Sequence, residues 1–139
     1  MFRPTKVVLF VSYCFNNFLN LTNFRLENCL TVMKDWTLAN AFSQQSGGMR
    51  YSNGQLCVPT AGPYYIYAQL YFHTKGRVEI RKNNKEVTML QPAEGTGYLP
   101  LYTGGVFLLR RGDVISLHSN DNVAIYMSSA HTYFGAFLI

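Results

Sequence analysis

The chain has 139 residues, of which 48% are hydrophobic and 14% charged, so it fits one folded domain and is not a disordered chain. Its net charge of +5 is scattered over short pairs such as Arg81-Lys82 and Arg110-Arg111. That scatter speaks against nucleic acid as a partner and for solubility or attraction to acidic cell-surface partners.

Residues 1–30 are left unassigned. A basic start, Met1–Lys6, precedes the apolar run Val7–Phe15. This pattern resembles a signal peptide but is too short to span a bilayer as a helix, and Asn16-Asn17-Phe18 is a poor cleavage site. It reads equally as an ordinary hydrophobic strand or a non-native start. Asn20-Leu21-Thr22 is a glycosylation sequon, consistent with export. The three cysteines, Cys14, Cys29 and Cys57, form no CxxC pair and no zinc-type spacing with histidine. A Cys14–Cys29 disulfide is open, and Cys57 reads as a buried thiol in an apolar run.

From Trp36 onward turn signals recur at Ser46-Gly47-Gly48, Ser52-Asn53-Gly54, Pro59–Gly62, Thr74-Lys75-Gly76, Asn83-Asn84, Gly95–Gly97, Arg111-Gly112-Asp113 and Ser119–Asn122. Short runs of Val, Ile, Tyr, Phe and Leu lie between them. Strands are expected near Thr31–Trp36, Met49–Tyr51, Gln55–Val58, Tyr64–His73, Arg77–Lys82, Glu86–Gln91, Tyr98–Leu109, Val114–Ser119, Ala124–Met127 and Thr132–Ile139. Many short strands between turns predict an all-β sandwich or barrel. Thr37–Ser43 reads as a short helical turn with Thr37 as its N-cap. One domain is expected over residues 31–139.

Side chains alternate along a strand. In the strand beginning at Tyr64, one face carries Tyr64, Ile66, Ala68, Leu70 and Phe72, which suits a core. The other carries Tyr65, Tyr67, Gln69 and Tyr71. Tyrosine is enriched where one end of a side chain is apolar and the other hydrogen-bonds, as at interfaces. The C-terminal strand is also apolar on both faces, with Phe134, Ala136 and Leu138 on one and Tyr133, Phe137 and Ile139 on the other. A two-layer sandwich supplies only one inside, so these second faces predict contact with another subunit.

Four segments carry a resemblance. They are Gly48–Pro59, Gly62–Gln69, Leu101–Leu109 with Arg111–Val114, and Thr132–Phe137. In order and spacing they resemble the tumour necrosis factor homology domain, over about Thr31 to Ile139. The resemblance implies a two-sheet jelly-roll sandwich, a homotrimer, and an extracellular cytokine that clusters receptors of the tumour necrosis factor receptor family. It places Tyr67, Tyr102 and Tyr133 at the three-fold axis, with Tyr65, Phe137 and Ile139 beside them; Gln69, on the same strand face as Tyr65 and Tyr67, is expected at the same interface. It also implies a receptor contact at the turn Lys82, Asn83, Asn84 and Lys85, which is polar here where the family often carries an apolar or tyrosine side chain. The family's Ala-His-Leu-type first strand is not recognisable upstream of Trp36. Membrane association is expected only through a missing or atypical N-terminal segment.

Enzyme chemistry has little support. His73, His118 and His131 with Ser116, Ser119 or Asp113 sketch a hydrolase, but there is no nucleophile elbow and no oxyanion loop. No close acidic pair occurs in an apolar context. Gly104-Gly105 lacks the Lys-Ser/Thr and helix of a phosphate loop. No cofactor, metal or catalytic residue is expected. Arg111-Gly112-Asp113 is an integrin-type tripeptide that a hairpin turn explains as well. Two alternatives to a cytokine remain: a complement-type globular head acting as a trimeric recognition module, and a secreted adhesion protein.

Overall fold

The computed structural model describes residues 6–11, 31–34, 36–37, 44–45, 47–95, 98–120, 123–126, 128 and 130–139. Asn20, Cys14, Cys29 and most of the expected helical turn (38–43) lie outside them. The described residues form two antiparallel sheets, and none of them forms a membrane-spanning helix.

The first sheet has the order β10-β7-β12-β1-β3, with β4 also paired to β1. Its strands are β1 (Lys6–Val11), β3 (Trp36–Thr37), β4 (Gln44–Gln45), β7 (Gly62–Phe72), β10 (Leu99–Leu109) and β12 (Tyr133–Leu138). The second has the order β5-β6-β11-β8-β9. Its strands are β5 (Arg50–Ser52), β6 (Gln55–Cys57), β8 (Val78–Lys82), β9 (Lys85–Leu90) and β11 (Val114–Ser119), and β2 (Thr31–Val32) pairs with β11 beyond the end of β6. Two pairs of sequence neighbours, β5–β6 and β8–β9, form hairpins, whereas β7 lies between β10 and β12 and β11 between β6 and β8, so strands distant in sequence become neighbours as in a jelly roll.

Alternation places the core between the layers. Tyr64, Ile66, Ala68, Leu70 and Phe72 of β7 are all buried, as are Phe134 and Ala136 of β12. Leu56, Val78, Ile80, Ile115 and Leu117 meet them from the second sheet. The Trp36 ring lies edge-on to Phe134, with centroids 4.4 Å apart. Each large apolar side chain buried this way contributes about 1.5–3 kcal/mol. Tyr64 enters the core because its hydroxyl has somewhere to go: it donates to the Thr60 carbonyl at 2.8 Å.

Two hairpins turn through left-handed backbone. Asn53 and Gly54 have φ of 49° and 80°, and Asn83 and Asn84 have φ of 48° and 66°. Asparagine and glycine are the residues that tolerate this. A side chain at Gly54 would also strike the Met33 carbonyl.

Two expected strands need correction. Thr31–Trp36 is not one strand. Val32 pairs with His118 in the second sheet while Trp36 pairs with Val11 in the first, so the chain crosses between layers here. Of the expected strand Ala124–Met127, the described residues 124–126 hold one bridge, Ile125 to Phe72. Tyr126 donates its backbone N–H to the Tyr71 carbonyl at 2.8 Å, but the return bond is missing. The Thr132 hydroxyl is wedged in its place, accepting from Tyr71 N at 3.2 Å and donating to the Tyr126 carbonyl at 2.6 Å. Of the readings of the early apolar run, the structure has a strand at Lys6–Val11, paired along β12.

Candidate interaction surface

The outward face of the first sheet is built from β10, β7 and β12. Register sets it out in rows. Tyr102, Gln69 and Tyr133 lie side by side; next come Gly104, Tyr67 and Gly135; then Val106, Tyr65 and Phe137. Leu108 and Pro63 continue the surface, and Ile139 joins it by donating its N–H to the Pro63 carbonyl at 2.9 Å. All seven residues expected at a subunit interface therefore fall on one surface.

The rings touch in series. Tyr65 and Tyr67 stack at 6.1 Å, Tyr65 meets Phe137 at 5.4 Å, and Tyr67 meets Tyr133 edge-on at 6.3 Å. Hydroxyls are paired along the surface. Tyr65 and Tyr102 oxygens are 2.7 Å apart, and Tyr133 donates to Gln69 Oε1 at 3.2 Å. Gln69 Nε2 in turn donates to the His131 carbonyl at 3.2 Å. Gly104 makes the first of these possible: a Cβ there would collide with both the Tyr65 and Tyr102 hydroxyls.

This surface is apolar and open. Relative exposure is 54% at Tyr102, 59% at Val106, 77% at Leu108 and 64% at Ile139. Val106 and Leu108 were not among the residues expected there; alternation within Leu99–Leu109 was the signal that could have found them. Burial, then the neighbouring Tyr133 and Tyr102, push the Tyr67 phenol far above its usual range. Burial, followed by the hydrogen bond with Tyr65, pushes Tyr102 up to about 12. Both phenols are neutral and able to donate at any physiological pH.

The expected receptor turn is the β8–β9 hairpin. Its residues are not equivalent. Asn83 is bound into the structure, donating from Nδ2 to Asp113 Oδ1 at 2.8 Å and accepting from Val114 N at 2.9 Å. Asn84 accepts from Arg81 at 3.0 Å, and Lys82 reaches the Leu108 carbonyl at 3.3 Å. The Lys85 side chain is the exposed one without a polar partner among the described residues.

Asp113 is only 8% exposed. Its carboxylate accepts from Arg110 N and Asn83 Nδ2, both at 2.8 Å, with Lys82 Nζ at 3.6 Å. These partners, Arg110 N foremost, hold it below the usual carboxylate range. The acid of the integrin-type tripeptide is thus spent on its own turn.

The histidines divide. His118 Nε2 is 2.9 Å from Ser116 Oγ, but both residues are buried in β11, away from any substrate. His73 and His131 join Tyr71, Tyr98 and Tyr126 around a shallow cleft of about 390 Å³, with His73 stacked on Tyr126 at 5.4 Å. No sequence signal foretold this cluster, whose members come from separate segments. Among the described residues no group of three or more His, Cys, Asp or Glu could hold a metal ion. Cys57 is a half-buried thiol.

Comparison with known proteins bears on this arrangement. A model of the TNF (tumour necrosis factor) family matches residues 34–91 and 76–139. This chain belongs to the tumour necrosis factor family. Among similar members, tumor necrosis factor of Notamacropus eugenii is 32% identical over 127 residues, covering 72% of this chain and 54% of that protein. CD40 ligand of Gallus gallus is 28% identical over 134 residues, covering 85% and 48%. The chain spans about half the length of these curated relatives. The crystal structure of murine APRIL superposes with a TM-score of 0.72 at 18% identity, covering 99% of this chain and 100% of that one, which extends the likeness to the fold. The jelly roll expected from the sequence is therefore the fold of this tumour necrosis factor family member.

Proposed function

We propose that this chain is the receptor-binding domain of an extracellular cytokine that works as a homotrimer and clusters receptors of the tumour necrosis factor receptor family. The observation that carries the reading is the outward face of the first sheet. Tyr65, Tyr67, Tyr102, Tyr133, Phe137 and Ile139 form a continuous apolar surface whose hydroxyls are already paired, with Val106 and Leu108 exposed beside them. Surfaces of this kind are covered by another protein. We take further copies of this chain as the cover, a reading that family membership supports.

Three identical copies raise the local concentration of any bound receptor, which is the whole of the mechanism: geometry rather than chemistry. The β8–β9 turn (Lys82, Asn83, Asn84 and Lys85) is the proposed receptor contact. Lys85 is the clean probe of it, because changing Asn83 also disturbs Asp113. The adhesive reading is disfavoured by the enclosed Asp113 carboxylate.

The test is sedimentation equilibrium together with capture by cysteine-rich receptor ectodomains. The wild-type chain is expected to run as a trimer, and Tyr67→Asp as a folded monomer, since it forces a charge into the ring cluster. Lys85→Glu is expected to stay trimeric and lose about tenfold in affinity for the captured receptor. A stable wild-type monomer at micromolar concentration would refute the assembly. Unchanged binding by Lys85→Glu would remove the turn from the receptor site.

A further inference from the structure

The cations of the described residues are not all alike. Arg77 and Arg81 are paired with Glu79 and Glu86 at 2.7–3.2 Å, and Lys82 lies 3.6 Å from Asp113. The side chains of Arg50 and Arg111 have no carboxylate or hydrogen-bond partner among the described residues, and both are exposed. They line the same cleft of about 490 Å³, with Gly48, Met49, Cys57, Val58, Pro59 and Gly112 forming the rest of its wall.

The backbone beneath these two arginines is fixed. Arg50 is opposite Cys57 in the β5–β6 ladder. Val58 N donates to the Asp113 carbonyl at 2.9 Å and Gly112 N to the Val58 carbonyl at 2.8 Å, so the Arg111 turn is laced to the end of β6. Arg110 N is held by the Asp113 carboxylate. Among the described residues no acid lines the cleft. Two guanidinium groups on a rigid frame, facing a common space and lacking a counter-charge, form a receptor for a tetrahedral or planar oxyanion. Arginine binds such groups through a planar fork of donors.

We infer that the Arg50–Arg111 cleft is a binding site for the sulfate group of an acidic polysaccharide. A polymer is favoured over a free ion because the cleft is open at the surface and both arginines on it are exposed. The net charge of +5 adds long-range attraction to such a chain. The cleft shares no residue with the aromatic face or the β8–β9 turn, so a polysaccharide could be held while those surfaces are occupied. The Arg-Gly-Asp tripeptide acquires a different meaning: its acid is internal and its arginine is what a partner meets.

The experiment uses the whole chain and a heparin hexasaccharide, with titration calorimetry as readout. Arg50→Gln/Arg111→Gln is expected to lose at least about tenfold in affinity, the scale of one charge-assisted hydrogen bond. Lys34→Gln/Lys75→Gln removes the same charge from exposed sites outside the cleft and is expected to change affinity less than about twofold, as an unspecific screening effect. Arg50→Lys/Arg111→Lys keeps the charge without the fork and should fall between. A chemically desulfated hexasaccharide should not bind. Inorganic sulfate should compete only at far higher concentration. Equal losses in the Arg and Lys double variants, equal binding of the desulfated chain, or stronger binding to anionic lipid vesicles than to the hexasaccharide would each overturn the assignment. A thermal melt confirms folding of each variant, and if the Arg double variant melts early, Arg111→Gln alone gives the same comparison.

Discussion

Asp113 and Gly104 illustrate two ways in which single residues shape this molecule. Asp113 ties two segments together through one carboxylate: its own turn, through Arg110 N, and the β8–β9 hairpin, through Asn83 and Lys82. Asp113→Ala should cost about 2 kcal/mol by leaving Arg110 N and Asn83 unsatisfied. The pH dependence has a definite sign. The folded carboxyl titrates below its ordinary value of 3.8, so its stabilisation is complete above that value and is lost as pH falls through the lower folded one. Glu79 acts on the same limb. Burial raises its carboxyl, but the hydrogen bonds from Arg81 and Arg77 outweigh this and leave it lowered. Melting temperatures between pH 2 and pH 7, followed by circular dichroism, should therefore fall steeply below about pH 4 in the wild type and less steeply in Asp113→Ala. Gly104 acts by absence. Gly104→Ala should leave the fold intact, because the side chains it strikes can swing away, yet it must break the Tyr65–Tyr102 hydrogen bond. If the chain assembles as proposed, the trimer of this variant should dissociate about tenfold more readily, read by sedimentation.

Among the elements, those marked by strict alternation were legible in the sequence. The β7 strand divides into Tyr64, Ile66, Ala68, Leu70 and Phe72 inside and Tyr65, Tyr67, Gln69 and Tyr71 outside, as its residues dictate. The Asn53-Gly54 and Asn83-Asn84 hairpins were equally legible, since both need residues that accept left-handed backbone. What escaped was anything decided by a distant partner. The passage of Thr31–Trp36 from one sheet to the other follows from β11 and β1 lying in different layers. That residues 124–126 hold one bridge and no strand follows from one hydroxyl, that of Thr132. The β8–β9 hairpin offers a test at this scale. Asn83→Gly keeps the turn geometry and deletes two hydrogen bonds, so urea unfolding should show a loss of about 1–3 kcal/mol. Asn84→Gly keeps the geometry and deletes only an exposed contact, and should lie within about 0.5 kcal/mol of wild type.

For the whole molecule, the candidate interface was the part of the site most readable in advance, because two strands, β7 and β12, repeat one signal: apolar side chains on the face that a two-layer sandwich leaves outside. The basic cleft and the histidine–tyrosine cluster were not readable, since each is assembled from segments that meet only after the sheets have formed. If the trimer is the folded unit, stability depends on concentration by mass action. Calorimetric melting temperature should climb as protein is raised a hundredfold from the low micromolar range, and Tyr67→Asp should abolish the climb. A melting temperature independent of concentration in the wild type would mean the domain needs no partner.

The pairing of β7 with both β10 and β12 has a consequence for how the protein is made. Tyr67 leaves the ribosome long before Tyr133, and β12 is the strand that closes one side of it and also receives β1. Until Tyr133–Leu138 has emerged, one edge of the tyrosine-rich strand is unpaired, and β1, which can already meet β3 and β4, lacks its longest partner. Such long-range pairing makes for slow folding and an adhesive nascent chain. Synthesis in the presence of holding chaperones, or at reduced temperature, should therefore improve the soluble yield more than any change confined to the surface.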